Sequence, residues 1–114
     1  MSKCLKFTTF IDTINDINEN GLERVHQQLP NSCFGVLDVR DEVAVEQALS
    51  DFGKHTQGKV DVVVNCAGVL SSGYFEEVDI EACDRMIDIN VKGLTYIARH
   101  SLPLLKRGDN PVLV

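Results

Sequence analysis

The chain has 114 residues, 44% of them hydrophobic and 25% charged, with a formal net charge of −6. That is the balance of one ordinary globular domain of about a hundred residues, not of a disordered segment. The acidic excess argues against nucleic acid or an anionic membrane surface as the main partner, because both are held by clustered Lys and Arg. It leaves open a nucleotide, which backbone N–H groups and helix N-termini can hold.

No apolar run approaches the roughly 18 residues needed to span a bilayer. The start, Met1 to Phe7, has no signal-peptide core. Cys4, Cys33, Cys66 and Cys83 are widely spaced, with no C-x-x-C pair and no matching His. They read as reduced thiols of a cytoplasmic protein, neither a disulfide frame nor a zinc site, and no metal is expected.

In chain order, Phe10–Asn15 reads as a strand. Asn18 is the N-cap of a helix that places Leu22, Val25 and Leu29 on one face and ends at Pro30-Asn31. Phe34–Val39 is the next strand. Asp41 caps a helix with Ala44, Val45, Ala48, Leu49 and Phe52 as its apolar face, closing near Gly58. Val60–Asn65 holds three consecutive valines and suits a central strand covered on both faces. Gly68–Tyr74 is a loop. From Asp79 a long helix runs with Ile80, Cys83, Ile87, Val91, Leu94, Ala98, Leu102 and Leu105 at helical spacing. After the turn Gly108-Asp109-Asn110, a further strand begins at Pro111. Strands alternating with helices predict a single α/β unit over 1–114, a doubly wound parallel sheet.

Open parallel sheets bind ligands beyond the carboxyl ends of their strands, and four polar places lie there or close by. Asp16, followed by Ile17 and Asn18, would accept hydrogen bonds from ribose hydroxyls and repel a 2′-phosphate; alone, an Asp there is more often only a turn residue. Asp38-Val39 could flank an adenine ring, a carboxylate for the exocyclic amine and an apolar side chain beneath, or simply lead into a helix. Asn65-Cys66-Ala67-Gly68 offers small residues that admit close backbone approach. Asn90 sits inside the long helix three residues before Gly93; both weaken a helix, which suggests a kink or a buried polar role over a plain surface Asn. His26, His55 and His100 lack metal-like spacing. Glu76, Glu77, Asp79 and Glu81 read as a solvated helix start favoured by the helix dipole.

In their order and spacing, Asp38-Val39, Asn65-Cys66-Ala67-Gly68 and Asp88-Ile89-Asn90-Val91-Lys92-Gly93 resemble the short-chain dehydrogenase/reductase family over nearly all of residues 10–114. The resemblance implies a Rossmann-like fold and hydride transfer between a nicotinamide and a small alcohol or carbonyl substrate. It implies that Asp16, with Ile17 beside it, selects NAD over NADP, and that Asp38 and Val39 contact the adenine. It further implies that Asn65, Ala67 and Gly68 pack beside the adenosine and that Asn90 is the asparagine of the catalytic group, supporting a proton relay through a bound water. The helix over 79–106 corresponds to one that pairs subunits in the family, so a homo-oligomer, or a non-catalytic dimerisation module, is the second reading. A flavodoxin-like receiver is a third, but Asp16 and Asp38 do not form its acidic cluster.

Three departures stand out. Cys66 replaces the family motif's second Asn. Only 15 residues precede Asp16 and none is glycine, whereas a glycine-rich phosphate loop is expected about 20 residues before such an acid. The catalytic Tyr-x-x-x-Lys is likewise not found: Tyr74 is followed four places on by Val78, and Tyr96 by His100. The expectation is an incomplete sheet without its first, middle strand, inactive alone, marginally folded and weak in NAD binding.

Overall fold

The computed structural model describes residues 12–114. In chain order it contains β1 (Thr13–Asp16), α1 (Glu19–Gln28), β2 (Cys33–Val36), α2 (Glu42–His55) and β3 (Val62–Val63). There follow α3 (Ile80–Ile87), a π-helical segment (Asp88–Gly93), α4 (Leu94–Leu105) and β4 (Val112–Leu113). The alternation of strand and helix is the one read from the sequence. Phe10 and Ile11, the start of the first expected strand, lie outside the described residues.

The two helix starts are built as their sequences predict. Asn18 Oδ1 accepts the Gly21 N–H at 2.9 Å, and Asp41 Oδ1 accepts the Ala44 N–H at 3.1 Å. Each satisfies one of the amides that a helix leaves without an internal partner. α2 stops where Gly58, at φ +78, donates back to the Gly53 carbonyl at 2.8 Å.

The strands are parallel but form two separate pairs. β1 pairs with β2 from Thr13↔Cys33 to Asp16↔Val36. β3 pairs with β4 at Val62↔Val112 and Val63↔Leu113. Main-chain bonds lengthen each pair at its carboxyl end: Leu37 N–H to Asp16 O at 2.9 Å in the first, Asn65 N–H to Val114 O at 2.8 Å in the second. Among the described residues no ladder joins β1 to β3. The valine run is accordingly not covered on both faces: Val62 is 59% and Val64 61% exposed.

Helices carry the packing. α1 lies on β1 and β2 with Leu22 buried. α2 lies on α4, where Val45 and Ser101 are fully buried and Leu105 nearly so. The missing side chain of Gly53 admits Leu104, whose Cδ2 would stand 3.1 Å from a Cβ there. His100 Nε2 meets Glu42 Oε1 at 3.1 Å, tying α4 to the first turn of α2. The apolar stripe expected to bury the long helix does so only at Leu105; Ile80, Ile87, Val91, Leu94 and Leu102 are exposed.

The cysteines need one correction. Cys33, the buried first residue of β2, is disulfide-bonded, whereas Cys66 and Cys83 are free thiols. Sequence spacing cannot reveal such a bridge, because it depends on Cα atoms brought within about 4.4–6.8 Å by the fold. No helix among the described residues is long and apolar enough to cross a membrane.

Candidate functional site

The residues singled out at strand ends occupy such positions in the structure. Asp16 closes β1, and its Oδ1 accepts the Asn18 N–H at 2.8 Å. That bond fixes the carboxylate beside the helix start while leaving it exposed, with its second oxygen available. Ile17, next to it, is 59% exposed. Because the Leu37 amide bonds the Asp16 carbonyl, the turn carrying Asp38 and Val39 starts directly alongside Asp16.

Asp38 is not the free acceptor that the sequence suggests. Its Oδ1 accepts the Arg40 main-chain N–H and Nε–H, both at 3.0 Å, and its Oδ2 accepts Nη2–H at 2.6 Å. The guanidinium fork matches the carboxylate plane, so the pair is bidentate. The Arg40 hydrogen bonds hold the Asp38 carboxyl below its ordinary pKa, only partly offset by desolvation. Arg40 was missed in the sequence, where its place two residues after the acid was the only signal.

Beyond β3, Asn65 is half-buried and tied to β4 through its main-chain N–H. Cys66, Ala67 and Gly68 are exposed. A Cβ at Gly68 would meet only Asn90 Oδ1, at 3.5 Å, so the space beside it is otherwise open. Asn90 lies in the π segment and is exposed, not buried, yet its amide is engaged at two points. Oδ1 accepts the Val69 N–H at 2.9 Å, and Nδ2–H donates to the Val69 carbonyl at 2.8 Å. The expected interruption of the long helix is therefore real and takes π geometry, a form common at functional sites.

The same segment touches the other half of the molecule. Gly93 is buried, and a Cβ placed on it would lie 2.7 Å from Val39 Cγ2 and 3.1 Å from Val39 Cβ. Gly93 stood out in the sequence as a helix-weakening residue closing the Asp88–Gly93 motif; close approach to Val39 is what it permits. Contacts thus run from Asp16 through Leu37 to Val39, across to Gly93 and Asn90, and on to Gly68 and Val69. These contacts connect the ends of β1, β2 and β3, and among the described residues no strand ladder joins the halves.

Two open concavities flank the β1–β2 pair. One is lined by Phe34, Leu37, Ala48 and Phe52 and contains none of the singled-out residues; the other reaches only Asp16. The strand ends are a better guide to the site than these hollows, which lie between the β1–β2 pair and the helices that flank it, α2 on one face and α1 on the other. No group of three or more His, Cys, Asp or Glu among the described residues is placed to hold a metal ion.

The chain is similar to known oxidoreductases. The family model described as enoyl-(acyl carrier protein) reductase matches residues 8–114. Oxidoreductase UcpA of Salmonella typhimurium is 38% identical over 78 residues, which are 68% of this chain and 29% of that protein. An uncharacterized oxidoreductase of Staphylococcus aureus, SA2266, is 32% identical over 90 residues, 77% of this chain and 38% of its own length. Among solved structures, a short-chain type dehydrogenase/reductase from Mycobacterium ulcerans superposes with TM-score 0.76 at 26% identity, covering 83% of this chain and 37% of that one. An alcohol dehydrogenase from Thermococcus sibiricus, solved with 5-hydroxy-NADP, gives TM-score 0.76 at 27% identity, over 83% and 42%. The chain spans about a third of the length of the curated relatives it matches. With a family model over nearly its whole length and short-chain dehydrogenase/reductases among its structural neighbours, the chain belongs to the short-chain dehydrogenase/reductase family of oxidoreductases.

Proposed function

We propose that these 114 residues form the adenosine-holding part of an NAD-dependent short-chain oxidoreductase. The carrying observation is the run of contacts that brings the ends of β1, β2 and β3 to one side of the π segment. The residues fit a dinucleotide there: an exposed carboxylate fixed by a main-chain N–H, an apolar Val39, and open space over Gly68. When bound, the nicotinamide would give or take the hydride exchanged with an alcohol or carbonyl carbon.

The chain's own residues would bind and orient. Asp16 would accept the ribose hydroxyls through its second oxygen, and its charge would disfavour a 2′-phosphate; Ile17 would border the same ribose. Asp38 and Val39 would receive the adenine, and Asn65, Ala67 and Gly68 the adenosine's other flank. Asn90 would serve the proton relay: after bonding Val69 its amide retains one N–H and one lone pair for a water. With no Tyr-x-x-x-Lys among the 114 residues, this chain alone is not expected to turn over substrate. A cytoplasmic setting fits the free thiols of Cys66 and Cys83, while the Cys33 disulfide weighs against it.

Titration of the ¹⁵N-labelled chain with millimolar NAD and NADP tests the reading. Amide shifts should concentrate at Asp16–Ile17, Asp38–Val39 and Ala67–Gly68, with NAD the stronger ligand and Asp16→Ala abolishing that preference. Shifts scattered over the surface, or tighter binding of NADP, would sink it.

A second reading rests on the exposed stripe Ile80, Ile87, Val91, Leu94 and Leu102, a contiguous apolar row of the kind that marks protein interfaces. In it, the helix over 79–106 pairs two copies. A strictly monomeric mass by light scattering at high micromolar concentration would reject this pairing.

A further inference from the structure

We propose that Gly93 is a positioning residue: its missing side chain lets the π segment seat on Val39, and that seating holds Asn90 on the Val69 peptide. The distances point this way from both sides. At Gly93, a Cβ would stand 2.7 Å from Val39 Cγ2, 3.1 Å from Val39 Cβ and 3.4 Å from the Val39 carbonyl oxygen. Because Val is β-branched at that very carbon, rotating χ1 moves its methyls but not the Cβ itself, so the wall cannot simply swing away. Three residues earlier in the same segment, Asn90 makes its two bonds to Val69 at 2.9 and 2.8 Å. The segment is short, and a shift at Gly93 of the few tenths of an ångström that an added methyl needs would carry Asn90 with it.

The segment is otherwise held loosely on this side. Val91 is 57% exposed. Lys92 reaches back to Asp88 at 2.8 Å, a bond internal to the segment. The Thr95 hydroxyl donates to the Val91 carbonyl at 2.8 Å, which is also a local contact. The approach of Gly93 to Val39 is thus the segment's close packing contact with the turn after β2, beside the longer-range attraction between Asp88 and Arg40. It joins the residue assigned to the adenine with the residue assigned to the proton relay. Those two assignments rest on the reading above, but the positioning itself requires no nucleotide.

The test therefore uses the full 114-residue chain without ligand. The readouts are the Asn90 side-chain NH₂ signals in a ¹⁵N spectrum and the hydrogen exchange of the Val69 amide. Gly93→Ala should move the Asn90 NH₂ signals toward those of a free amide and speed Val69 exchange about tenfold or more, the equivalent of roughly 1.4 kcal/mol. Lys92→Ala, at an exposed neighbouring position, should leave both unchanged. In the double variant Val39→Ala/Gly93→Ala, removal of the Val39 methyls should restore most of the lost protection. Unchanged Asn90 and Val69 signals in Gly93→Ala overturn the proposal. So does a double variant as perturbed as the single one, including the case in which neither folds. Because nucleotide binding is not read, these failures are distinct from a failure of the NAD titration.

Discussion

The β1–β2 half and the β3–β4 half contain the same kind of structure, two parallel strands with a helix against them, but they are held differently. In the first, four residue pairs share the ladder and α1 covers the strands through Leu22. In the second, only two pairs define the strands, and α4 holds them through the buried Leu105 and the Val60 N–H bond to the Leu104 carbonyl. Among the described residues, what joins the halves is not a strand ladder but contacts of α2, α4, the π segment and the turn after β2: Leu104 over Gly53, Glu42 with His100, Val39 under Gly93. In a parallel sheet each inner strand forms a ladder with both neighbours; among the described residues β1 and β3 are not paired, and the contacts between the halves come from the helices and the turn after β2. A binding surface assembled this way depends on helix seating more than on strand register.

That contrast is most easily broken at Leu105. Leu105→Ala removes a buried side chain from the β3–β4 side, at a cost of about 2–5 kcal/mol against a typical total of about 5–15. Hydrogen exchange followed by mass spectrometry should show faster exchange in α2, α4, β3 and β4, with α1, β1 and β2 much less affected. Leu22→Ala should give the mirror image. Equal acceleration everywhere in either variant would show one cooperative unit and dissolve the distinction between halves.

Gly108 sharpens the comparison within one half. It lies in the turn into β4, where a Cβ would collide with the Val60 carbonyl oxygen and stand 2.9 Å from its carbon. Main chain, unlike a flexible side chain, cannot yield, so Gly108→Ala should cost about 1–3 kcal/mol by overpacking. It should also disturb the Asp109 N–H bond to Asp61 Oδ1, 2.7 Å long. Urea denaturation would give the cost, and unchanged stability would mean that the turn can open without loss.

The sequence made the local pieces readable because each depends on a few neighbouring residues. Asn18 and Asp41 cap their helices as side-chain chemistry requires, and Asn90 with Gly93 mark the interruption of a long helix. The strand-end positions of Asp16, Asp38 and Asn65 follow from the alternation of elements. What was not readable depends on through-space placement. The exposure of Val62 and Val64 reflects the pairing of strands far apart in sequence. The Cys33 disulfide and the Val39–Gly93 approach are likewise set by the fold rather than by spacing. Arg40 lay between these cases, since an acid and a base two residues apart bond only if the intervening turn bends correctly.

That pair supplies the smallest effect and a check on the turn between the halves. Arg40 keeps the Asp38 carboxyl below its ordinary value of 3.8, through its side-chain hydrogen bonds first. A carboxyl depressed on folding contributes stability that is fully present above the unfolded pKa and is lost as pH falls through the folded one. The contribution should therefore hold at neutral pH and disappear only below about pH 4. Since Arg40 is 45% and Asp38 33% exposed, solvent screening keeps it small, as for most surface ion pairs. In a ¹³C carboxyl titration, Arg40→Met should raise the Asp38 midpoint toward 3.8. Asp51, depressed by Gln47 and Lys54 on α2, should keep its own shift and so report that the helix is intact. A midpoint for Asp38 that ignores Arg40→Met would mean that the fork is not closed in solution. Oδ2 would then be free for an adenine amine, while Oδ1 would still accept the Arg40 main-chain N–H.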